Sequence, residues 1–253
     1  MKPPTMASLR RFPFGRGEAG QAMAEYLIVL PSLLLLVLGA IQFALVFMAK
    51  STLDLAAFDG ARNGTLNNAS TTSIREGVAR GLAPLYQSGM PVSGPSLAGV
   101  ATAEADALLA VEDPVKVDIE QLNPSPAAFQ DFATTMSFAD DSGNLQTTKA
   151  IPNSGLLYQP TTPGAQSNES IQDANLLKIR VHYCYPLIVP FVNTTIRIIM
   201  SVAGAPSTSS WALSHATYIG SDTGTWDQAC YASGGMPLAA DGTALMQSPA
   251  IQN

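Results

Sequence analysis

The chain has 253 residues, a formal net charge of −6 and only 13% charged residues. This length is enough for one folded domain in addition to an anchoring segment. The acidic balance argues against nucleic acid and anionic headgroups as ligands, because both carry negative charge. We therefore expect no nucleic-acid partner.

An uncharged apolar run from Tyr26 to Ala49 dominates the first fifth of the chain. As a helix, its 24 residues would extend about 36 Å, which exceeds the roughly 30 Å of bilayer hydrocarbon. Four basic residues precede the run, whereas only Lys50 follows it directly. They are Lys2, Arg10, Arg11 and Arg16. The sequence predicts one transmembrane helix with a cytoplasmic N-terminus and an exported remainder.

A cleaved secretory signal peptide is the alternative interpretation of this run. Such a signal has an apolar core of about 7 to 15 residues that ends in small residues of the A-x-A kind. Here the run is longer, and it ends in FMAK at residues 47–50. The pattern favours a retained anchor over cleavage at that end.

The entrance to the run carries the short motif GQAMAEY at residues 20–26. It is followed by an early Leu30-Pro31 and by the stretch AAFDGAR at residues 56–62. Together with the basic leader, these features resemble type IVb prepilins, in particular the TadE-like pseudopilins of the tight-adherence (Tad) pilus system. The resemblance covers roughly residues 20 to 64, and the rest of the chain resembles this family only in layout.

The resemblance implies that a prepilin peptidase cuts between Gly20 and Gln21 at the cytoplasmic face of a bacterial inner membrane. Gly20 should also discourage a helix from running through the cut. Glu25, the fifth mature residue, would pair with the α-amino group of an adjoining subunit in pilus assembly, where low dielectric strengthens charge pairs. Pro31 would bend the assembling helix. In the simpler alternative, Glu25 reaches headgroup water, Tyr26 is an interfacial aromatic residue and Pro31 is an ordinary transmembrane proline.

The helix is expected to continue beyond the membrane, because small and apolar residues share one of its faces. They are Leu53, Ala56, Ala57, Gly60 and Ala61. Asn63-Gly64 then predicts its end. The expected layout is a leader at 1–20, a transmembrane and continuing helix at 21–64, and an exported domain at 65–253. The expected fold class is α+β, with an antiparallel sheet in a small periplasmic domain.

The first half of the exported part contains three periodic segments. Ser70 to Gln87 and Ala98 to Val111 predict helices, and the clean alternation of Val115 to Glu120 predicts a strand. Residues 123–173 are rich in turn formers. We expect a long excursion there, with a short strand or hairpin at Thr147 to Pro152.

The second half begins with the strongest strand pattern, Leu177 to Tyr183, which we expect to lie antiparallel to Val115 to Leu122. Leu187 to Met200 is apolar but too short to span a bilayer. One helical face would collect Ile188, Phe191, Val192, Thr195, Ile196 and Ile199. This pattern predicts a helix docked on the sheet or lying along the membrane surface. Trp211 to Ile219 predicts a closing strand.

The two cysteines, Cys184 and Cys230, both belong to the exported part. In an oxidising compartment they are expected to form a disulfide. A zinc site that combines them with His182 and His215 is the alternative, but the spacing matches no standard zinc motif. We expect no metal and no cofactor.

The sequence contains no G-x-S-x-G, H-E-x-x-H or phosphate-loop motif. We therefore expect a protein that is not an enzyme. The leading hypothesis is a minor pilin or pseudopilin whose partners are the lipid bilayer, the prepilin peptidase, other pilins and the Tad membrane machinery. The alternative is an uncleaved, TadG-like single-pass protein whose exported domain binds an envelope or surface ligand.

Overall fold

The computed structural model describes residues 19–87, 97–139, 145–196 and 223–251. A long N-terminal helix leads into a small domain of helices and antiparallel sheets, which confirms the predicted α+β class. In chain order the elements are α1 (Ala19–Leu66), α2 (Thr71–Tyr86), α3 (Leu97–Glu112), β1 (Val117–Asn123), α4 (Pro126–Phe132), β2 (Thr134–Ala139), β3 (Leu145–Ile151), α5 (Ile171–Ala174), β4 (Leu176–Pro186), α6 (Thr223–Ser233), β5 (Gly235–Leu245) and β6 (Ala250–Ile251).

Strand β4 is the centre of the first sheet, whose order is β1-β4-β5 with antiparallel neighbours. Val117 of β1 lies opposite Tyr183 of β4, so the predicted pairing of these two strands is confirmed. On its other edge β4 pairs with β5 from Leu176 opposite Leu245 to Pro186 opposite Gly235. No pattern in the sequence predicted β5.

A second sheet has the strand order β2-β3-β6. Its strands β2 and β3 belong to residues 123–173, which were expected to be mostly irregular. The hairpin of β2 and β3 pairs Thr134 with Ala150, so the predicted strand at 147–152 is the second arm of a longer hairpin. Helix α4 precedes this hairpin. Its N-terminus is capped by Ser125, whose hydroxyl accepts a hydrogen bond from the Ala128 N–H, and a proline occupies the first turn. The excursion is therefore more structured than predicted.

The predicted helices at 70–87 and 98–111 are confirmed as α2 and α3, with ends that differ by one residue. The predicted helix at 187–200 is wrong over its first turn, because only residues 192–196 of the described part are helical. Pro190 restricts the residue before it, and Phe191 has a positive φ of 67°. The predicted strand Trp211 to Ile219 lies outside the described residues.

The core lies where the C-terminal half of α1 crosses α2 and the β4-β5 face of the first sheet. Leu177, Ile179 and Val181 of β4 are fully buried in it, as their alternation predicts. The domain is thus built around one end of the long helix and leaves the other end uncovered.

Candidate functional site: the exposed and docked halves of helix α1

Helix α1 has a long apolar portion that the domain does not cover. Within Glu25–Leu66, the most apolar stretch has a mean hydropathy of 2.5, and only 6% of it is buried. Leu27 and Ile28 are 73% and 75% exposed. By its length and composition this helix can cross a bilayer, and its low burial distinguishes it from the core helix of a soluble protein.

The residues of the predicted processing site all lie in the first turns of α1. Gly20 and Gln21 are both helical, so the expectation that Gly20 keeps the helix out of the cut is wrong. The physical reason is that one Gly costs only about 1 kcal/mol in a helix, and the adjacent Ala, Gln and Met residues are good helix formers. Glu25 and Tyr26 follow on the same helix, and both are exposed.

Pro31 lies inside α1 without ending it. Its ring cannot donate the hydrogen bond that the Leu27 carbonyl would otherwise accept. Next to it, the Ser32 hydroxyl donates to the Val29 carbonyl oxygen at 2.8 Å, so a side chain adds a bond within the affected turn. The helix continues through this position into the docked half.

The docked half of α1 is defined by small residues that let α2 approach its backbone. The predicted continuation of the helix is confirmed, and Ala56, Ala57 and Ala61 on the face of small residues have no exposed area. A Cβ atom added at Gly60 would lie in steric conflict with the Val78 side chain of α2. Helices that meet through Gly and Ala can pack backbone to backbone, so this junction is rigid and intolerant of larger residues.

The first sheet approaches the same helix equally closely. Gly64 of α1 leaves room for the Leu177 side chain of β4, because a Cβ atom at Gly64 would lie 2.8 Å from it. On β5, a Cβ atom at Gly242 would overlap the backbone of Ala57. These contacts fix the direction in which the exposed half of α1 leaves the domain.

One further contact lies within the apolar run itself and was missed by the sequence analysis. Gln42 is 1% exposed, and its Oε1 accepts a hydrogen bond from the Val189 N–H at 3.0 Å. The polar Gln42 inside an uncharged stretch was the only signal for it. This bond places the segment after β4 beside α1, and Leu187 and Val192 of that segment are also buried.

An ion pair joins β4 to β5 next to Gly242, a β5 residue that contacts α1. Arg180 donates through Nε and Nη2 to both carboxylate oxygens of Asp241, at 2.7 Å and 3.1 Å. The hydrogen bond from Arg180 holds the pKa of Asp241 below its usual value. Burial lowers the pKa of the neighbouring His182, whose ring lies 5.6 Å from the Trp226 ring of α6.

Cys184 at the end of β4 and Cys230 in α6 form the predicted disulfide, with a Cα–Cα distance of 5.5 Å. The zinc alternative is wrong as far as these ligands are concerned, because both sulfur atoms are bonded to each other. His215 lies outside the described residues. The structure thus brings the cysteines together on the domain, far along the chain from the processing residues at the start of α1.

The exposed and docked halves of α1 together span the part of the chain that matches a known family. Residues 20–62 match the family described as TadE-like protein. The chain has a TadE-like N-terminal region. Neither a curated protein nor a solved structure matched the chain.

The TadE-like match begins at Gly20, continues through the apolar run and ends in the docked half at Arg62. It confirms the resemblance that the motif and its helix predicted. Together with the exposed apolar helix, it indicates a membrane-anchored protein associated with the Tad pilus.

Proposed function

We propose that this protein is a minor pilin or pseudopilin that supports assembly of a Tad pilus. It is anchored in the bacterial inner membrane, with the N-terminus in the cytoplasm and the domain from about residue 65 onward in the periplasm. A prepilin peptidase removes residues 1–20. The observation that carries the proposal is the TadE-like match, which starts at the residue before the proposed cut.

The distribution of burial along α1 supports a helix that packs against other pilins. The domain encloses the C-terminal half, from Ala49 onward, and apart from Gln42 it leaves most of the apolar N-terminal half exposed. An exposed apolar helix in a membrane can bind neighbouring helices without disturbing its own domain. The proposed role is therefore structural and requires no catalytic group.

The position of Glu25 supports a role in docking. Between Gly20 and Ala49, the only ionisable side chains are those of Glu25 and Tyr26. Cleavage after Gly20 would create an α-amino group four residues before Glu25. The amino group of an adjoining subunit could then neutralise the carboxylate of Glu25 in a low-dielectric environment.

Processing is tested with two glycine variants of the full chain, expressed with and without a prepilin peptidase. Gly20→Val should retain the leader, whereas Gly39→Val should be cut normally, since Gly39 lies far from the cut and a Cβ atom added there meets nothing within 4 Å. N-terminal sequencing of the native protein should begin at Gln21. A native protein that still begins at residue 1 would reject cleavage and favour the uncleaved, TadG-like anchor.

A further inference from the structure

The segment that follows β4 is apolar and presents two large side chains outward. Residues 187–192, which we name the apolar loop, read LIVPFV. Leu187, Val189 and Val192 are buried, whereas Ile188 is 66% exposed and Phe191 is 71% exposed. Two large apolar side chains on one short loop are unfavourable in water and suggest an apolar environment.

The hydrogen bond between Val189 and Gln42 fixes the depth of this loop relative to the anchor. Gln42 lies 16 residues after Tyr26, which corresponds to about 24 Å along a helix. The charge of Glu25 keeps the other end of the run near the headgroups. In a hydrocarbon layer of roughly 30 Å, Gln42 is then about 6 Å inside the far boundary, and tilt would place it deeper.

Several backbone groups of the apolar loop have hydrogen-bond partners within the protein. The Val192 N–H donates to the Pro190 carbonyl at 2.8 Å, and the Asn193 N–H donates to the Val189 carbonyl at 3.2 Å. The Asn193 side-chain amide donates to the Leu187 carbonyl at 3.1 Å, and Pro190 has no N–H to satisfy. Each unpaired backbone group is costly in hydrocarbon, so these bonds lower the cost of bringing this part of the loop to such a depth.

Phe191 provides a second, independent indication. Its φ of 67° lies in the left-handed region, which is costly for a bulky residue. In this conformation its side chain remains exposed, although Val189 and Val192 beside it are buried. A strained backbone that keeps an aromatic ring outside the domain is expected where the ring has a partner.

We propose that the apolar loop inserts into the periplasmic leaflet, where lipid acyl chains surround Ile188 and Phe191. The protein then has two membrane contacts, the helix α1 and the loop that Gln42 holds beside it. The second contact fixes the rotation of the whole protein about the axis of α1 in the membrane, which a single spanning helix leaves free. This proposal rests on membrane anchoring alone and does not depend on cleavage or on pilus assembly.

The test uses spin labels on single cysteines of the full chain in phosphatidylcholine vesicles. Both native cysteines are in the disulfide, so neither competes for the label. Ile188→Cys and Phe191→Cys carry the test. Phe43→Cys, 68% exposed on the apolar run at the level of Gln42, is the lipid control, and Tyr158→Cys, 92% exposed on the domain, is the water control.

Collision rates with oxygen and with a water-soluble nickel chelate give the result. Labels at 188 and 191 should match the label at 43, with an oxygen-to-nickel ratio several-fold above that at 158. A ratio at 191 equal to that at 158 would place the loop in water and overturn the proposal. Protection from both reagents would also overturn it, because the loop would then be covered by protein.

Discussion

Gly77 of α2 lies directly against Gly60 of α1: a Cβ atom at Gly77 would be 2.8 Å from the Gly60 Cα atom and 2.8 Å from the Asp59 carbonyl oxygen. This contact makes the two helices pack through their backbones. It lies within the family-matched part of α1, so the TadE-like region serves as part of the domain core as well as the anchor.

Replacing Gly77 by Ala should destabilise the domain by about 1 to 3 kcal/mol, because the obstructing atoms are backbone and cannot move aside easily. Gly39→Ala is the matched control on α1, where an added Cβ atom meets nothing within 4 Å and helix propensity improves. Thermal unfolding of the full chain in detergent measures the difference. Equal melting temperatures for the two variants would contradict the close packing of α1 and α2.

Replacing both Cys184 and Cys230 by Ser should lower the free energy of unfolding by about 4 kcal/mol, the chain-entropy value for a loop of 46 residues. The reason is that the bond restricts the unfolded chain between β4 and α6. Thiol alkylation of the native protein should label no cysteine before reduction and two after it. A thiol that is readily labelled without reductant would contradict the disulfide.

The Arg180–Asp241 pair predicts a pH dependence of stability. The pKa of Asp241 is lowered in the folded state, so its contribution is present above the unfolded value of about 4 and is lost as the pH falls through the folded value. Asp241→Asn should cost about 1.5 to 3 kcal/mol at neutral pH, since Arg180 is only 7% exposed and loses a charged acceptor.

The cost of Asp241→Asn should begin to shrink as the pH falls below about 5, because Asp241 of the unfolded chain takes up a proton first, and it should vanish only when the pH is below the lowered pKa of the native carboxylate. Asp54→Asn is the control, since Asp54 forms an exposed pair with Lys50 that should contribute at most about 1 kcal/mol. Melting curves of the three proteins across this pH range provide the measurement. A pH-independent difference between native and Asp241→Asn proteins would argue against the ion pair.

Glu25→Gln separates processing from assembly. The variant keeps the size of the side chain but loses the charge, so insertion and leader removal should be unchanged. Docking should weaken by about 3 to 5 kcal/mol if an adjoining amino group is left buried without its partner. Pilus yield and crosslinking to other pilins measure this loss.

Glu76→Gln removes the same charge from the exposed surface of α2 and serves as the control for Glu25→Gln. It should assemble normally. Normal pilus levels with Glu25→Gln would reject the docking role and favour the simpler interpretation, in which the Glu25 side chain reaches headgroup water.

Local patterns were sufficient for the long helix, for α2 and α3, and for the β1–β4 pair. Each of these elements has a period that its own residues carry, such as the buried Leu177, Ile179 and Val181 of β4. The disulfide also followed from the sequence, because the chain has two cysteines, both in the part predicted to be exported, and neither has another cysteine to pair with.

Strand β5 and the apolar loop depended on the tertiary structure. Pro237 and Gly242 are poor strand formers, and Gly242 is required because the backbone of Ala57 occupies the space of a side chain there. The bond from Val189 to Gln42 joins residues 147 positions apart, so no local pattern contains it. The periodicity of a sequence indicates which face of a helix or strand is apolar. Only the packing around α1 determines which distant residues cover that face, and at which positions the contact requires a glycine or an alanine.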